Sequence, residues 1–261
     1  MNKELRKKIV EMVHEGGDGH IPSAFSVIDI IHYLYESVLC YDPKKPKWYN
    51  RDYFILSKGH GCLALYVVLE KFGFLKKKDL KQFCKKSGIL GEHPDSTKVP
   101  GVEASTGSLG HGLSIATGIA KALKIQNKKN QVIVLVGDGE CHEGTVWEAA
   151  NVAKNQNLNN LTVIVDFNLS ASQLLPYDEM VKKWKAFGWN SFEIDGHNKK
   201  VFKKFINRKN ILNQKYPTAI VLNTTKGKGA KLIEGHGQWH HKIPNKEEVV
   251  ILKKEIENYE W

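Results

Sequence analysis

Residues 132–168 read VIVLVGDGECHEGTVWEAANVAKNQNLNNLTVIVDFN, and this stretch decides the fold. An apolar run ends at Val136 and gives way to Gly137-Asp138-Gly139. A segment with apolar residues at helical spacing follows (Val146, Ala149, Ala150, Ala153), then a second apolar run to Asp166 with Asn168 just beyond it. Strand, helix, strand over this length is a βαβ unit, which sets two parallel strand ends side by side. Open α/β sheets bind ligands outside those carboxyl ends. Glycines on either side of Asp138 permit a tight turn and close ligand approach. Asp138 and Asn168 can then aim oxygens at one point. A carboxylate with amide and carbonyl oxygens is hard-ligand chemistry, suited to Mg²⁺ or Ca²⁺ that also holds phosphate. A polar turn followed by a helix start is the plain alternative.

Working outward, apolar runs at 53–56, 161–166, 191–194 and 218–222 join 132–136 as buried strands. Helical patterns lie between them: Val27, Ile30, Ile31, Leu34 and Val38 behind a capping Ser23; Leu113, Ala116, Ala120 and Leu123; and a final helix from about Asn245 carrying Val249, Leu252 and Ile256. The alternation predicts an α/β fold, an open, mostly parallel sheet with helices on both faces. No Pro/Gly/Ser-rich linker or repeat divides the chain, so residues 1–261 are expected to form a single domain. The irregular stretch 84–107 is long for a loop, and such loops often serve function.

With 41% apolar residues the chain can build a packed core, which excludes a disordered or collagen-like protein. The formal charge of +11 comes almost wholly from lysines in short scattered runs, with only Arg6, Arg51 and Arg208 as arginines. Nucleic-acid surfaces gather charge on one face and read bases with arginine, so no nucleic-acid partner is expected. No run approaches the ~20 apolar residues of a membrane span. The opening MNKELRKKIV reads as a helix, without the apolar core of an export signal. Cys40, Cys62, Cys84 and Cys141 stand far apart without a CxxC pair, so reduced thiols in a cytoplasmic protein are expected.

Two further features bear chemistry. Gly107-Ser108-Leu109-Gly110 leads into a helix and offers backbone N–H groups to an anion. A helix end contributes only ~0.3–1 kcal/mol per neighbouring charge, too little to grip a diphosphate, so a metal is expected alongside. His20, His60, His93, His111 and His240 all lie in or beside glycine-containing segments, which predicts a polar cleft. Neutral imidazoles there can donate to phosphate or sugar oxygens and shuttle protons.

The ordered motifs GHIPS, FILSKGHG, GEHP, PGVEASTGSLGHG, GDGECHEG followed by VDFN, TTKGKG and QWHH span nearly the whole chain. Together they resemble the amino-terminal, diphosphate-binding part of transketolase. The resemblance implies the thiamine diphosphate-binding fold with Mg²⁺ (or Ca²⁺). It implies side-chain ligands Asp138 and Asn168, with the backbone carbonyl of Ser170 as third ligand. His60, Gly107, Ser108, Leu109, Gly139 and His240 would touch the cofactor, and His20 and His93 would face the sugar. Glu143 would hydrogen-bond across a subunit boundary to a glutamate on the neighbouring domain. Two stretches depart from the family pattern: LSASQLLPYD after Asn168, and Ile21-Pro22-Ser23 after His20, where a glycine is common.

Complete transketolases are roughly twice as long and add a pyrimidine-binding and a carboxyl-terminal domain. The resemblance therefore implies the amino-terminal subunit of a split enzyme, in an α2β2 assembly with a carboxyl-terminal transketolase subunit. That enzyme would move a two-carbon ketol unit from a ketose to an aldose, the substrates being sugars or sugar phosphates. The alternatives are a subunit of a thiamine-dependent 2-keto-acid decarboxylase or dehydrogenase, and a non-catalytic subunit that retains the fold.

Overall fold

The computed structural model describes residues 2–173, 175, 179–235 and 237–260. Leu174, Pro176, Tyr177 and Asp178, in the segment where the family pattern is departed from, lie outside the described residues. Five strands are present: β1 (Tyr53–Leu56), β2 (Val132–Gly137), β3 (Leu161–Phe167), β4 (Asn190–Asp195) and β5 (Thr218–Asn223). The amino-terminal helices are α1 (Lys3–Gly16) and α2 (Ile21–Ser37), followed after β1 by α3 (Cys62–Lys71), α4 (Lys77–Leu80) and α5 (His111–Ile125). Next come α6 (Gly144–Asn155), α7 (Met180–Ala186), α8 (Lys199–Phe205), α9 (Arg208–Leu212) and α10 (Lys246–Asn258). The sheet order is β1-β2-β3-β5-β4 and every neighbouring pair is parallel. Each expected strand is found, extended by at most a residue at either end. Among the described residues no helix is long and apolar enough to cross a membrane.

The strands read as continuous apolar runs because both faces are covered. Successive side chains point to opposite faces. Ile133 and Leu135 enter a core packed by α1, α2, α3 and α10. Val132, Val134 and Val136 enter a second core packed by α5, α6 and α7. β4, at the sheet edge, is only partly covered, with Ser191 and Ile194 buried. The final helix starts as expected. Asn245 caps it, accepting from the Glu248 N–H while the Glu248 carboxylate accepts from the Asn245 N–H.

One expected boundary is corrected. α2 begins at Ile21, not after Ser23, and His20 holds the capping position. Pro22 lies in the first turn, where its fixed φ suits a helix and its missing N–H costs nothing. Ser23 is buried inside the helix and does not cap it. The earlier start sets the His20 ring at the helix end that faces the carboxyl ends of the strands.

Candidate functional site

The carboxyl ends of β1, β2, β3 and β5 meet around a buried ion pair. Asp166 on β3 is fully buried and accepts a 2.6 Å hydrogen bond from Lys58 Nζ, itself 2% exposed at the end of β1. Ser26, Thr224 and Asn168 also donate to the Asp166 carboxylate. Burial pushes that carboxyl up, but the charge and hydrogen bond of Lys58, aided by Thr224 and Ser26, outweigh it and hold it below its ordinary value. The pair ties α2, β1, β3 and the segment after β5 to one another.

Asp138 follows β2 directly, and its N–H donates to the Asp166 carbonyl. Its Oδ1 accepts from the Gly139 N–H at 2.7 Å, while Oδ2 is buried with no hydrogen-bond partner among the described residues. Burial raises its pKa and the neighbouring Asp166 charge raises it further. Asn168 stands beside it at the end of β3. Its amide nitrogen donates to Asp166, which fixes the amide so that Oδ1 faces the other way and accepts from the Ser170 N–H. The Ser170 hydroxyl oxygen is buried without a partner. This is a site with an uncompensated carboxylate oxygen and an oriented amide oxygen. Such a donor set fits a hard divalent cation, which would relieve the repulsion between Asp138 and Asp166.

A second carboxylate organises the loops. Glu140 is 1% exposed and accepts from the Ser57 hydroxyl, the Gly110 N–H at 2.9 Å and the Gly137 N–H at 3.1 Å. It fastens the ends of β1 and β2 to the turn before α5. The expectation that the 107–110 turn offers all its N–H groups to a ligand is thereby narrowed, since Gly110 is already engaged. The turn also requires glycine. Gly110 has φ +84°, and a Cβ there would lie 2.4 Å from Thr145 Oγ1. A Cβ on Gly59 would lie 2.9 Å from the backbone of Thr106 and Gly107, so the β1 loop and this turn touch main chain to main chain.

Of the five histidines singled out in the sequence, four gather and one does not. The His20 ring lies 5.4 Å from His60, 5.3 Å from His240 and 4.5 Å from His241. His93, exposed on the long loop, packs over Gly107. His111 stays apart, exposed at the start of α5 with Nδ1 against the Leu109 carbonyl at 3.0 Å. Burial lowers the pKa of His60, and the charge of Lys58 lowers it further. His20 is lowered from 6.5 to about 4, first by burial and then by His241, His240 and His93. Burial also lowers His240, so His20, His60 and His240 are neutral near pH 7. Lys226 is buried, its Nζ 2.8 Å from His240 Nδ1, and its pKa is depressed by burial and by Lys58. A desolvated cation beside a second cation is the environment that an anion corrects. Glu143 is exposed at the capping position of α6, its stem against Gly110.

The depressed His20 pKa has a measurable consequence. The unfolded chain binds a proton at His20 below about pH 6.5 while the folded chain does so only near 4. Stability contributed by the neutral ring is thus intact above 6.5 and is lost as pH falls through that window. His20→Gln should make the pH dependence of unfolding shallower by up to ~1.4 kcal/mol per pH unit between pH 6 and 4.5. Denaturant unfolding at several pH values measures it, and equal slopes in both proteins would contradict the assignment.

Sequence reading missed Lys58, Asp166, Glu140 and Lys226 as site residues. All four stood in a quoted motif, and a charge next to a buried strand must find a partner.

The chain has relatives among known proteins. The family profile described as "Transketolase, thiamine diphosphate binding domain" matches residues 1–259. The chain is 36% identical over 260 residues to an apulose-4-phosphate transketolase subunit of Phocaeicola vulgatus, covering 98% of this chain and 92% of that one. It is 35% identical over 236 residues to 6-deoxy-6-sulfo-D-fructose transketolase subunit SqwG of a Clostridium species, covering 88% of this chain and 86% of that one. The solved transketolase of Leishmania mexicana superposes with a TM-score of 0.89 at 26% identity. The chain is covered there over 98% of its length but spans only 41% of that protein.

Proposed function

The chain belongs to the family of transketolase thiamine diphosphate-binding domains, and from that membership we propose that it is the amino-terminal subunit of a two-chain transketolase that moves a ketol unit between sugars. The observation that carries this reading is the unpartnered, buried Oδ2 of Asp138, set beside the Lys58–Asp166 pair and close to the cationic wall of Lys226. When bound, thiamine diphosphate supplies the chemistry that lets a ketose be cleaved and two of its carbons passed on. Asp138, Asn168 and the Ser170 carbonyl hold Mg²⁺, which Ca²⁺ can replace. Lys226, His240, His60, Gly139 and the Gly107-Ser108-Leu109 turn bind the diphosphate end. His20, neutral and able to donate or accept, and His93 orient sugar hydroxyls and move protons at the reacting carbon. Glu140 spends its acceptor capacity inside the protein and keeps these loops fixed before any ligand arrives.

Glu143, exposed beside the glycine turn, serves a partner chain. That partner supplies the pyrimidine-binding and carboxyl-terminal domains, and an α2β2 assembly is the simplest arrangement with cofactor sites at subunit boundaries. The substrates are sugars or sugar phosphates. The four cysteines form no disulfide, in keeping with a cytoplasmic protein.

Reconstitution tests the reading. The chain mixed with a carboxyl-terminal transketolase subunit, Mg²⁺ and thiamine diphosphate should transfer a two-carbon unit from ketose to aldose, and the chain alone should not. Loss of one general acid or base costs ~10²–10⁴ in rate, and here half the site would be missing. Full turnover by the isolated chain would refute the split site. Release of CO2 from 2-keto acids without ketol transfer would favour the decarboxylase alternative, and no activity with any partner the non-catalytic one.

A further inference from the structure

Beside the His60 and His240 rings, three metal-binding side chains converge. One oxygen of Glu92 lies 3.7 Å from His20 Nδ1 and 3.5 Å from His241 Nε2. All three ligand atoms fall within 4.8 Å of one another. Asp18 adds a second carboxylate, its Oδ1 2.8 Å from the same His241 nitrogen. The residues come from three separate segments: the turn before α2, the long loop before α5, and the stretch before α10.

The hydrogen bonding of this group is incomplete. His20 Nδ1 is buried and has no hydrogen-bond partner among the described residues, since Glu92 stands too far for one. Two carboxylates approach one nitrogen of His241, which can give a single proton to only one of them well. A cation at the centre satisfies all of these atoms. Zinc bonds of ~2.0–2.1 Å in a tetrahedron set neighbouring ligand atoms roughly 3.3 Å apart. The two Glu92 separations are already close to that spacing, and closing the widest gap needs roughly 1.5 Å of side-chain movement at most.

We propose that His20, Glu92 and His241, with Asp18 beside them, form a second metal site that takes a borderline divalent ion of the Zn²⁺ or Co²⁺ class. Two imidazoles and a carboxylate select such ions over Mg²⁺, which prefers an all-oxygen octahedron. The site is chemically distinct from the Asp138–Asn168 oxygens. It does not depend on the ketol-transfer reading, but it shares His20 with it. An ion held here takes up the His20 ring and so competes with the sugar for it.

The test is a Co²⁺ titration of the full-length, untagged chain with Mg²⁺ and thiamine diphosphate in excess, followed by visible absorption. The wild type should develop the intense bands of four- or five-coordinate Co²⁺, saturate at one ion per chain and yield the ion to Zn²⁺. His241→Ala, at a half-exposed position, should lose these bands and bind Co²⁺ about tenfold more weakly or worse. Glu92→Gln should weaken binding in the same direction. Only the faint absorption of octahedral Co²⁺ in the wild type would overturn the site. So would unchanged bands and affinity in His241→Ala, which would put the ion on other ligands.

Discussion

Asp138→Ala is expected to abolish Mg²⁺-dependent retention of thiamine diphosphate by the two-chain complex while leaving the unliganded chain as stable as the wild type, or more so. Both halves follow from one geometry. Oδ2 of Asp138 is buried, has no partner and lies near the Asp166 charge. Removing a buried carboxylate that repels its neighbour relieves the fold. The same removal takes away the charged ligand of the divalent ion, and the helix end and glycine turn are too weak to replace it. Affinity for the Mg²⁺–cofactor pair should fall by at least ~100-fold, the upper end of what loss of a supporting contact costs. Equilibrium dialysis measures retention and denaturant unfolding measures stability. Retention equal to wild type would remove the metal assignment. A large loss of stability would make Asp138 a structural residue instead.

Lys58→Met should do the opposite and destabilise the protein by about 3–5 kcal/mol, because it strands the fully buried Asp166 carboxylate without its cation. The methionine keeps the aliphatic stem, so the loss reports on charge and hydrogen bonding more than on packing. Adding Asp166→Asn removes the stranded charge while retaining groups for Ser26, Thr224 and Asn168 to meet. The double variant should therefore recover most of the loss. A Lys58→Met effect below about 1 kcal/mol, the range of exposed pairs, would mean that water reaches the pair.

The contrast between these two carboxylates explains how far the sequence could be read. The strands were legible because a parallel sheet covered on both faces needs unbroken apolar runs, and Val132 to Val136 is one. Asp138 and Asn168 were legible as neighbours because a βαβ crossover sets successive strand ends together. Lys58 and Asp166 were hidden by distance: they lie 108 residues apart, and only the β1-β2-β3 order brings them near. Glu140 was hidden differently. It sits two residues from Asp138 in a segment rich in acids, and nothing local tells which carboxylate turns inward to collect a hydroxyl and two N–H groups from three segments. Ser23 misled because serine is a strong cap, while Pro22 started the helix earlier. His241 gave no signal at all, since its partners Asp18 and Glu92 come from remote loops.

The central claim is that two adjoining strand ends, braced by a buried ion pair, hold one hard cation and through it the cofactor. The most direct measurement is the anomalous scattering of Mn²⁺ in crystals of the two-chain complex grown with Mn²⁺ and thiamine diphosphate. The account predicts a peak between the Asp138 carboxylate and the Asn168 amide oxygen, with the diphosphate beside it toward Lys226. A cofactor bound with no metal at those two side chains, or Mn²⁺ found only at His20, Glu92 and His241, would contradict it.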